Sequence, residues 1–296
     1  MKTATETAAE PQSWLSDLAE LVKARLSLLV LATTLVGFLL GQGSEPLEWA
    51  VLLATLLGTA LSACGAAALN QWWERDVDAL MRRTRSRPLP AGRMHPKDAL
   101  IFGILLSVLG VAGLAVVNLF SAVLAFATIV VYVLVYTPLK RISAINTLVG
   151  AIPGALPPLI GWIAATGEAS TPGWVLFAIL WFWQMPHFLA IAWMYRDEYA
   201  SAGFIFLTGR DNAGAATARQ VVLYTLCLVL ASLVPAFIGL NSPWYFAGAL
   251  AFGAAFFVPA LRFALTRSRE SARVLFFASI IYLPLLLTLL VVTRAH

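Results

Sequence analysis

The sequence predicts an all-α membrane protein: a polytopic bundle of nine transmembrane helices, amino terminus inside and carboxy terminus outside. Of its 296 residues, 60% are hydrophobic and only 12% charged, against about a quarter charged in a typical soluble domain. The apolar residues fall into nine runs, 26–40, 47–69, 99–117, 119–136, 142–165, 174–194, 221–240, 244–265 and 274–292. These lie near the ~20 residues that a bilayer-crossing helix needs. The basic residues are one-sided. With the amino terminus inside, every Lys and Arg except Arg294 falls in an inside segment or at its edge. The outside loops near 42–46, 118, 166–172 and 241–243 carry only Glu45 and Glu168, the bias described by the positive-inside rule.

Residues 1–25 carry Glu6, Glu10, Asp17 and Glu20 ahead of the first run, which argues against a secretory signal. Trp14, Leu15, Leu18, Leu21 and Val22 recur at helical spacing opposite Asp17, Glu20 and Lys23. A short amphipathic helix on the inner surface is expected there. The first run is short, and the third and fourth are nearly continuous. The fifth holds Gly150, Pro153, Gly154, Pro157, Pro158 and Gly161. Proline bends a helix and glycine admits a close neighbour, so this run reads as kinked packing or as a wall moulded around a bulky substrate. The sixth contains WFWQMPHF at 181–188, where Gln184 and His187 share roughly one face. Ionisable groups at membrane depth usually face a cavity or one another. His187 reads equally as a structural polar contact or a substrate contact, and the aromatics as packing or an interfacial belt. Cys64 and Cys227 lie in apolar runs without CxxC spacing and read as small core residues. With no low-complexity segment or long linker, 1–296 is expected to form one domain. The net charge of +5 needs no nucleic acid to explain it.

The chemistry is concentrated at 70–93, NQWWERDVDALMRRTRSRPLPAGR. Asn70, Glu74 and Asp78 are spaced four apart, so on a helix successive members are displaced by only about 40°. Arg82, Arg83, Arg85 and Arg87 follow, and Pro88 disfavours helix beyond Arg87. Two further stations are expected on the same side: Lys140-Arg141, after Tyr132 and Tyr136, and Tyr195-Arg196-Asp197-Glu198-Tyr199. Magnesium is normally held by one or two carboxylates plus substrate phosphates. Glu74 and Asp78, with the Asn70 amide oxygen, suit such an ion, and Asp197 and Glu198 supply a second pair. Arginines and Lys140 offer donors for phosphate oxygens. Asp76 points away from the Asn70 face and is expected to pair with a nearby arginine. Taken singly, the arginines read as ordinary inside-loop charges; the aligned acids are harder to dismiss in that way. No P-loop, GxGxxG, HExxH or Ser-His-Asp spacing is present, which argues against nucleotide-driven transport or hydrolysis of those kinds.

The segments ERDVDALMRRTRSRPL, YTPLKR at 136–141, PGALPPLIGW at 153–162 and WQMPHFLAIAWMYRDEYASAGF at 183–204 resemble the UbiA superfamily of intramembrane prenyltransferases. The narrower likeness is to its haem-farnesylating members, and it runs from the first span to the ninth. The resemblance implies nine helices around a central cavity, with farnesyl diphosphate and haem b as substrates, haem O as product, and Mg²⁺. It implies catalytic roles for Asn70, Glu74, Asp78, Lys140 and Arg141, and diphosphate binding by Arg75, Arg82, Arg87, Lys140, Arg141 and Arg196. The metal would sit at Asn70, Glu74 and Asp78, with Asp197 and Glu198 at the second site. Haem contacts would come from Gln184, His187 and Tyr136, His187 reaching either iron or a propionate. A bacterial inner membrane, a site mouth on the cytoplasmic side, and a haem A synthase or terminal-oxidase assembly downstream are also implied. Three features depart from the superfamily pattern, one being Phe204-Ile205-Phe206-Leu207, where a proline-containing segment is expected. Glu74 stands where many members carry Asp, and Asp197 is followed four residues on by Ser201. The rival readings are a prenyltransferase of an aromatic acid or quinone precursor, a secondary transporter, and a non-catalytic haem chaperone.

Overall fold

The computed structural model describes residues 13–295; the part of the expected amphipathic segment at 1–12 lies outside them. Among the described residues nine helices are long and apolar enough to cross a membrane, as the sequence pattern requires. They are α2 (Ala24–Gln42), α3 (Trp49–Asp78), α4 (Pro96–Val117), α5 (Leu119–Leu139), α6 (Asn146–Thr166), α7 (Thr171–Met194), α10 (Ala215–Phe237), α11 (Pro243–Thr266) and α12 (Arg269–Val292). Three short helices complete the order: α1 (Trp14–Leu21), α8 (Arg196–Ser201) and α9 (Leu207–Arg210). The described residues form no strand; Asn241 and Arg294 make one isolated antiparallel bridge.

Local chemistry sets the boundaries. Asn118 separates α4 from α5 because its backbone is extended and its side chain accepts the amides of Phe120 and Ser121, a helix N-cap. Proline opens α4, α7 and α11 within the first two positions, where its missing amide costs nothing. Within α5, Val131–Tyr136 widens into a π-turn, and Thr137 Oγ1 donates to the Tyr132 carbonyl five residues back. The widened turn stacks the Tyr132 and Tyr136 rings 5.7 Å apart.

Two local expectations change. The acidic helix stops at Asp78 rather than running towards Arg87; beyond it a series of turns carries the arginines. α1 is helical, but one acid of its charged face turns towards the protein along with Leu18 and Leu21. Asp17 is 5% exposed and pairs with Arg93 at 2.9 Å, while Gln71 donates to the Glu20 and Leu21 carbonyls. Trp14 and Leu15, at its start, face outward, where apolar side chains suit the membrane interface.

The buried core is built around α6, α7, α10, α11 and α12. Helix α6 packs closely on α2 because Gly161 leaves room for the Thr34 carbonyl. A Cβ at Gly161 would overlap that backbone oxygen, so the glycine sets the interhelix distance.

Candidate active site

Helix α3 has 30 residues, about 45 Å at 1.5 Å per residue, so it exceeds the ~30 Å hydrocarbon core. Its final turns carry Asn70, Glu74 and Asp78, which are 0%, 6% and 1% exposed. All three face inward, as their four-residue spacing demands. Glu74 accepts both a bond from Asn70 Nδ2 at 3.0 Å and an ion pair from Lys140 Nζ at 2.8 Å. Asp78 Oδ2 takes the Arg87 guanidinium at 2.6 Å. Asn70 is saturated: Nδ2 also donates to Thr137 Oγ1, and Oδ1 accepts from Lys23 Nζ and the Tyr132 hydroxyl. The sequence pointed to Asn70 as a metal ligand and catalytic residue; here its bonds orient Glu74 and hold Lys23.

Glu74, Asp78, Arg87 and Lys140 form the mouth of a cavity of about 520 Å³, which Asn70 does not line. Arg83, Arg87 and Lys140 oppose Glu74 and Asp78 there, three cations against two carboxylates, with Lys23 a fourth basic group. That excess suits a polyanion. Burial works against the Lys140 charge, but the Glu74 carboxylate and the adjacent tyrosines offset it and raise the pKa above the ordinary lysine value. Lys23 differs: burial, with Arg87 and Lys140 nearby, lowers its pKa to about 7. Below the mouth the lining turns apolar and reaches Thr59 and Ile160. From Glu74 to Thr59 the cavity follows α3 for about 22 Å. Gly150, Pro153, Gly154 and Pro157 form one wall, so the glycine–proline run lines the cavity. Tyr136, Gln184 and His187 line it as well.

Several sequence-nominated residues stand outside the cavity in this structure. Arg75 lies one position round α3 from Glu74, bonds the Trp72 carbonyl and pairs with Asp76 at 3.6 Å. Arg82 and Arg141 are exposed, and Arg196 lies over the Trp193 indole. None of the four lines the cavity. The second acidic pair is not assembled either. Asp197 is 99% exposed, and Glu198 Oε1 accepts the backbone amide of Arg83 at 3.1 Å. Glu198 therefore latches the arginine turn to α8, assisted by a bond from the Arg83 guanidinium to the Tyr199 hydroxyl.

Sequence reasoning missed Lys23, Arg83, Tyr132 and Tyr199 as lining residues. Lys23 carried one usable signal, being a charged residue one position before α2 begins. Arg83 carried none, because once the helix ends at Asp78 helical periodicity no longer orders the arginines.

Among the described residues no three His, Cys, Asp or Glu side chains converge on one point. Glu74 and Asp78 nevertheless fit a magnesium ion, which takes few protein carboxylates and completes its shell with water and phosphate oxygens.

Residues 30–281 match the model of the UbiA prenyltransferase family. The chain is 45% identical over 287 residues to a protoheme IX farnesyltransferase of Solibacter usitatus, covering 94% of this chain and 98% of that one. Among solved structures it resembles a digeranylgeranylglyceryl phosphate synthase, with TM-score 0.79, 17% identity, and coverage of 94% and 98%. It also resembles a UbiA homolog from Archaeoglobus fulgidus bound to GPP and Mg²⁺, with TM-score 0.64, 15% identity, and coverage of 93% and 99%. An apolar well capped by basic side chains, on a fold shared along nearly the whole chain, leads to one conclusion: the chain is an enzyme of the UbiA prenyltransferase family.

Proposed function

We propose that the chain transfers the farnesyl group of farnesyl diphosphate to a vinyl group of haem b with addition of water, giving haem O and diphosphate. The observation that carries this is the cavity, cationic at its mouth and apolar below, in a chain 45% identical to a protoheme IX farnesyltransferase. Arg83, Arg87 and Lys140 bind the diphosphate oxygens, and Glu74 and Asp78 hold Mg²⁺. When bound, the ion neutralises charge gathering on the leaving group. Asn70 keeps Glu74 aimed at the mouth through its 3.0 Å bond. The carbon–oxygen bond breaks with its electron pair leaving on diphosphate, and the apolar lining shields the allylic cation from water. The vinyl π electrons form the new carbon–carbon bond; water then adds to the resulting cation and releases a proton.

The mouth is taken to face the cytoplasm of a bacterial inner membrane, since the arginine turn, Lys140 and the α11–α12 connection are all basic. Haem O would pass to a haem A synthase or a terminal oxidase under assembly. The test is direct. Purified chain in nanodiscs receives Mg²⁺, farnesyl diphosphate and either haem b or 4-hydroxybenzoate, and extracted products are weighed by mass spectrometry. Haem gaining one farnesyl group and one water supports the reading. Prenylated hydroxybenzoate with unmodified haem would move the chain to the aromatic-acid branch.

A further inference from the structure

We infer that the closed end of the apolar well measures the prenyl chain, and that Ala125, Ile160, Leu180 and Leu283 set its length at fifteen carbons. The inference rests on the farnesyl-transfer reading above and adds the residues that choose the donor. Each of the four lines the cavity. Each also lies fourteen residues from the end of its helix nearest the charged mouth, about 21 Å at helical rise. Thr33 on α2 and Thr59 on α3 are the lining residues of those helices farthest from the mouth. All six are at most 3% exposed, so among the described residues the well ends blind at this level. The floor is also firmly backed. Phe38, Ile163 and Leu176, about one turn farther along α2, α6 and α7, are 0% exposed. Gly161, next to Ile160, meets the Thr34 carbonyl, so α2 and α6 already touch there. Ser121 Oγ donates to the Ile160 carbonyl at 3.4 Å and ties α5 to α6. A floor packed in this way yields little to an overlong guest.

The depth of the well matches one chain length. Extended, the twelve backbone carbons of a farnesyl group span about 14 Å with bonds of ~1.5 Å. The diphosphate and its metal bring the reach to about 19 Å, within the roughly 22 Å that separate Glu74 from Thr59 along α3. One more isoprene unit adds about 5 Å and overruns the floor. A geranylgeranyl donor then has to buckle, or lift its diphosphate off Glu74 and Asp78. One unit fewer leaves the floor uncovered and forfeits the burial of five carbons. The donor that seats its head at the mouth while its tail covers the floor is the fifteen-carbon one.

The experiment gives the full chain in nanodiscs Mg²⁺, haem b and an equimolar mixture of geranyl, farnesyl and geranylgeranyl diphosphates, and weighs the products by mass spectrometry. Wild type should favour farnesyl over either neighbour by about tenfold or more. Ile160→Ala with Leu283→Ala takes six carbons from the floor, one more than an isoprene unit brings, and should raise the geranylgeranyl-to-farnesyl ratio by about tenfold. Ile160→Val is a milder cut; it should move that ratio the same way by about threefold, and it decides if the double variant does not fold. Ala125→Leu adds three carbons and should raise the geranyl-to-farnesyl ratio by about tenfold. Binding of the three diphosphates without acceptor should shift in the same directions, so a variant too slow to turn over still reports. Ratios equal to wild type in the floor variants would overturn the inference, whatever the fall in total rate, because that pattern marks packing alone. So would a wild type that takes all three donors equally. Haem carrying mixed prenyl lengths leaves the haem reading standing while the ruler fails. Farnesyl-selective binding without prenylated haem keeps the ruler and removes the haem reading.

Discussion

The pairing of Glu74 with Lys140 at 2.8 Å separates stability from catalysis. Removing one partner of a buried ion pair costs about 3–5 kcal/mol because the other charge is stranded, whereas replacing both is often neutral. Glu74→Gln should therefore lower Tm and abolish turnover, while Glu74→Gln with Lys140→Met should recover most of the Tm and none of the turnover; thermal unfolding and product assay on the same preparations decide this. The arginines divide by position. Arg87→Ala should raise the KM for farnesyl diphosphate tenfold or more, and Arg82→Ala should change it less than threefold. Equal effects would mean that Arg82 enters the mouth when substrate binds. That contrast also marks how far the sequence can be read. Asn70, Glu74 and Asp78 were legible because they lie on continuous helix, where spacing fixes direction. Arg82 was chosen over Arg83 because helical spacing gives no direction beyond Asp78; the turn that carries Arg83 is held by a distant contact, the Glu198 carboxylate accepting the Arg83 amide. The divergence of Asp197 and Glu198 was not legible for a related reason. A short surface helix has no apolar face long enough to reveal which acid turns inward.

At the scale of elements, close helix approach and helix ends carry the testable weight. Gly161→Ala sets a methyl against the Thr34 carbonyl, and overpacking of this kind typically costs about 1–3 kcal/mol. A lower Tm with α2 more accessible to hydrogen exchange is expected. The start of α10 offers a pH test. Its N-cap is Gly214 at φ 70, which has no side chain to cap with, and Asp211 Oδ2 accepts the Thr217 amide at 2.7 Å instead. Slight burial raises the Asp211 pKa, but the amides of Thr217, Ala216 and Ala215 outweigh it and hold the carboxyl below the ordinary aspartate value. A depressed folded pKa stabilises above the unfolded value of about 3.9 and loses that contribution as pH falls through the folded one. Asp211→Ala should thus cost about 1 kcal/mol near neutrality, with the difference fading below about pH 4 in melts run across pH. The glycine–proline content of α6 announced a bend or a close approach from sequence alone. Which neighbour approaches, the Thr34 backbone, is a property of packing between distant segments.

At the scale of the whole molecule, the nine helices were legible because a bilayer fixes the length and composition of what can cross it. The burial of Asp17 on α1 was not, since amphipathic periodicity gives two faces without saying what each one meets. The arrangement of charge predicts sidedness: single cysteines at Ser86 and Ser242 should label from opposite sides of sealed vesicles, Ser86 from the cytoplasmic one. Labelling of both from one side would reverse the proposed orientation or break the helix count. The length of α3 carries a last consequence. Because one unbroken rod bears both the well wall and the acids beyond it, a substrate's head is met at headgroup height while its tail never leaves the leaflet. Capture is then an encounter within a plane: turnover should track the mole percent of farnesyl diphosphate among surrounding lipids, and swelling the bilayer with inert phospholipid should slow it at constant bulk dose.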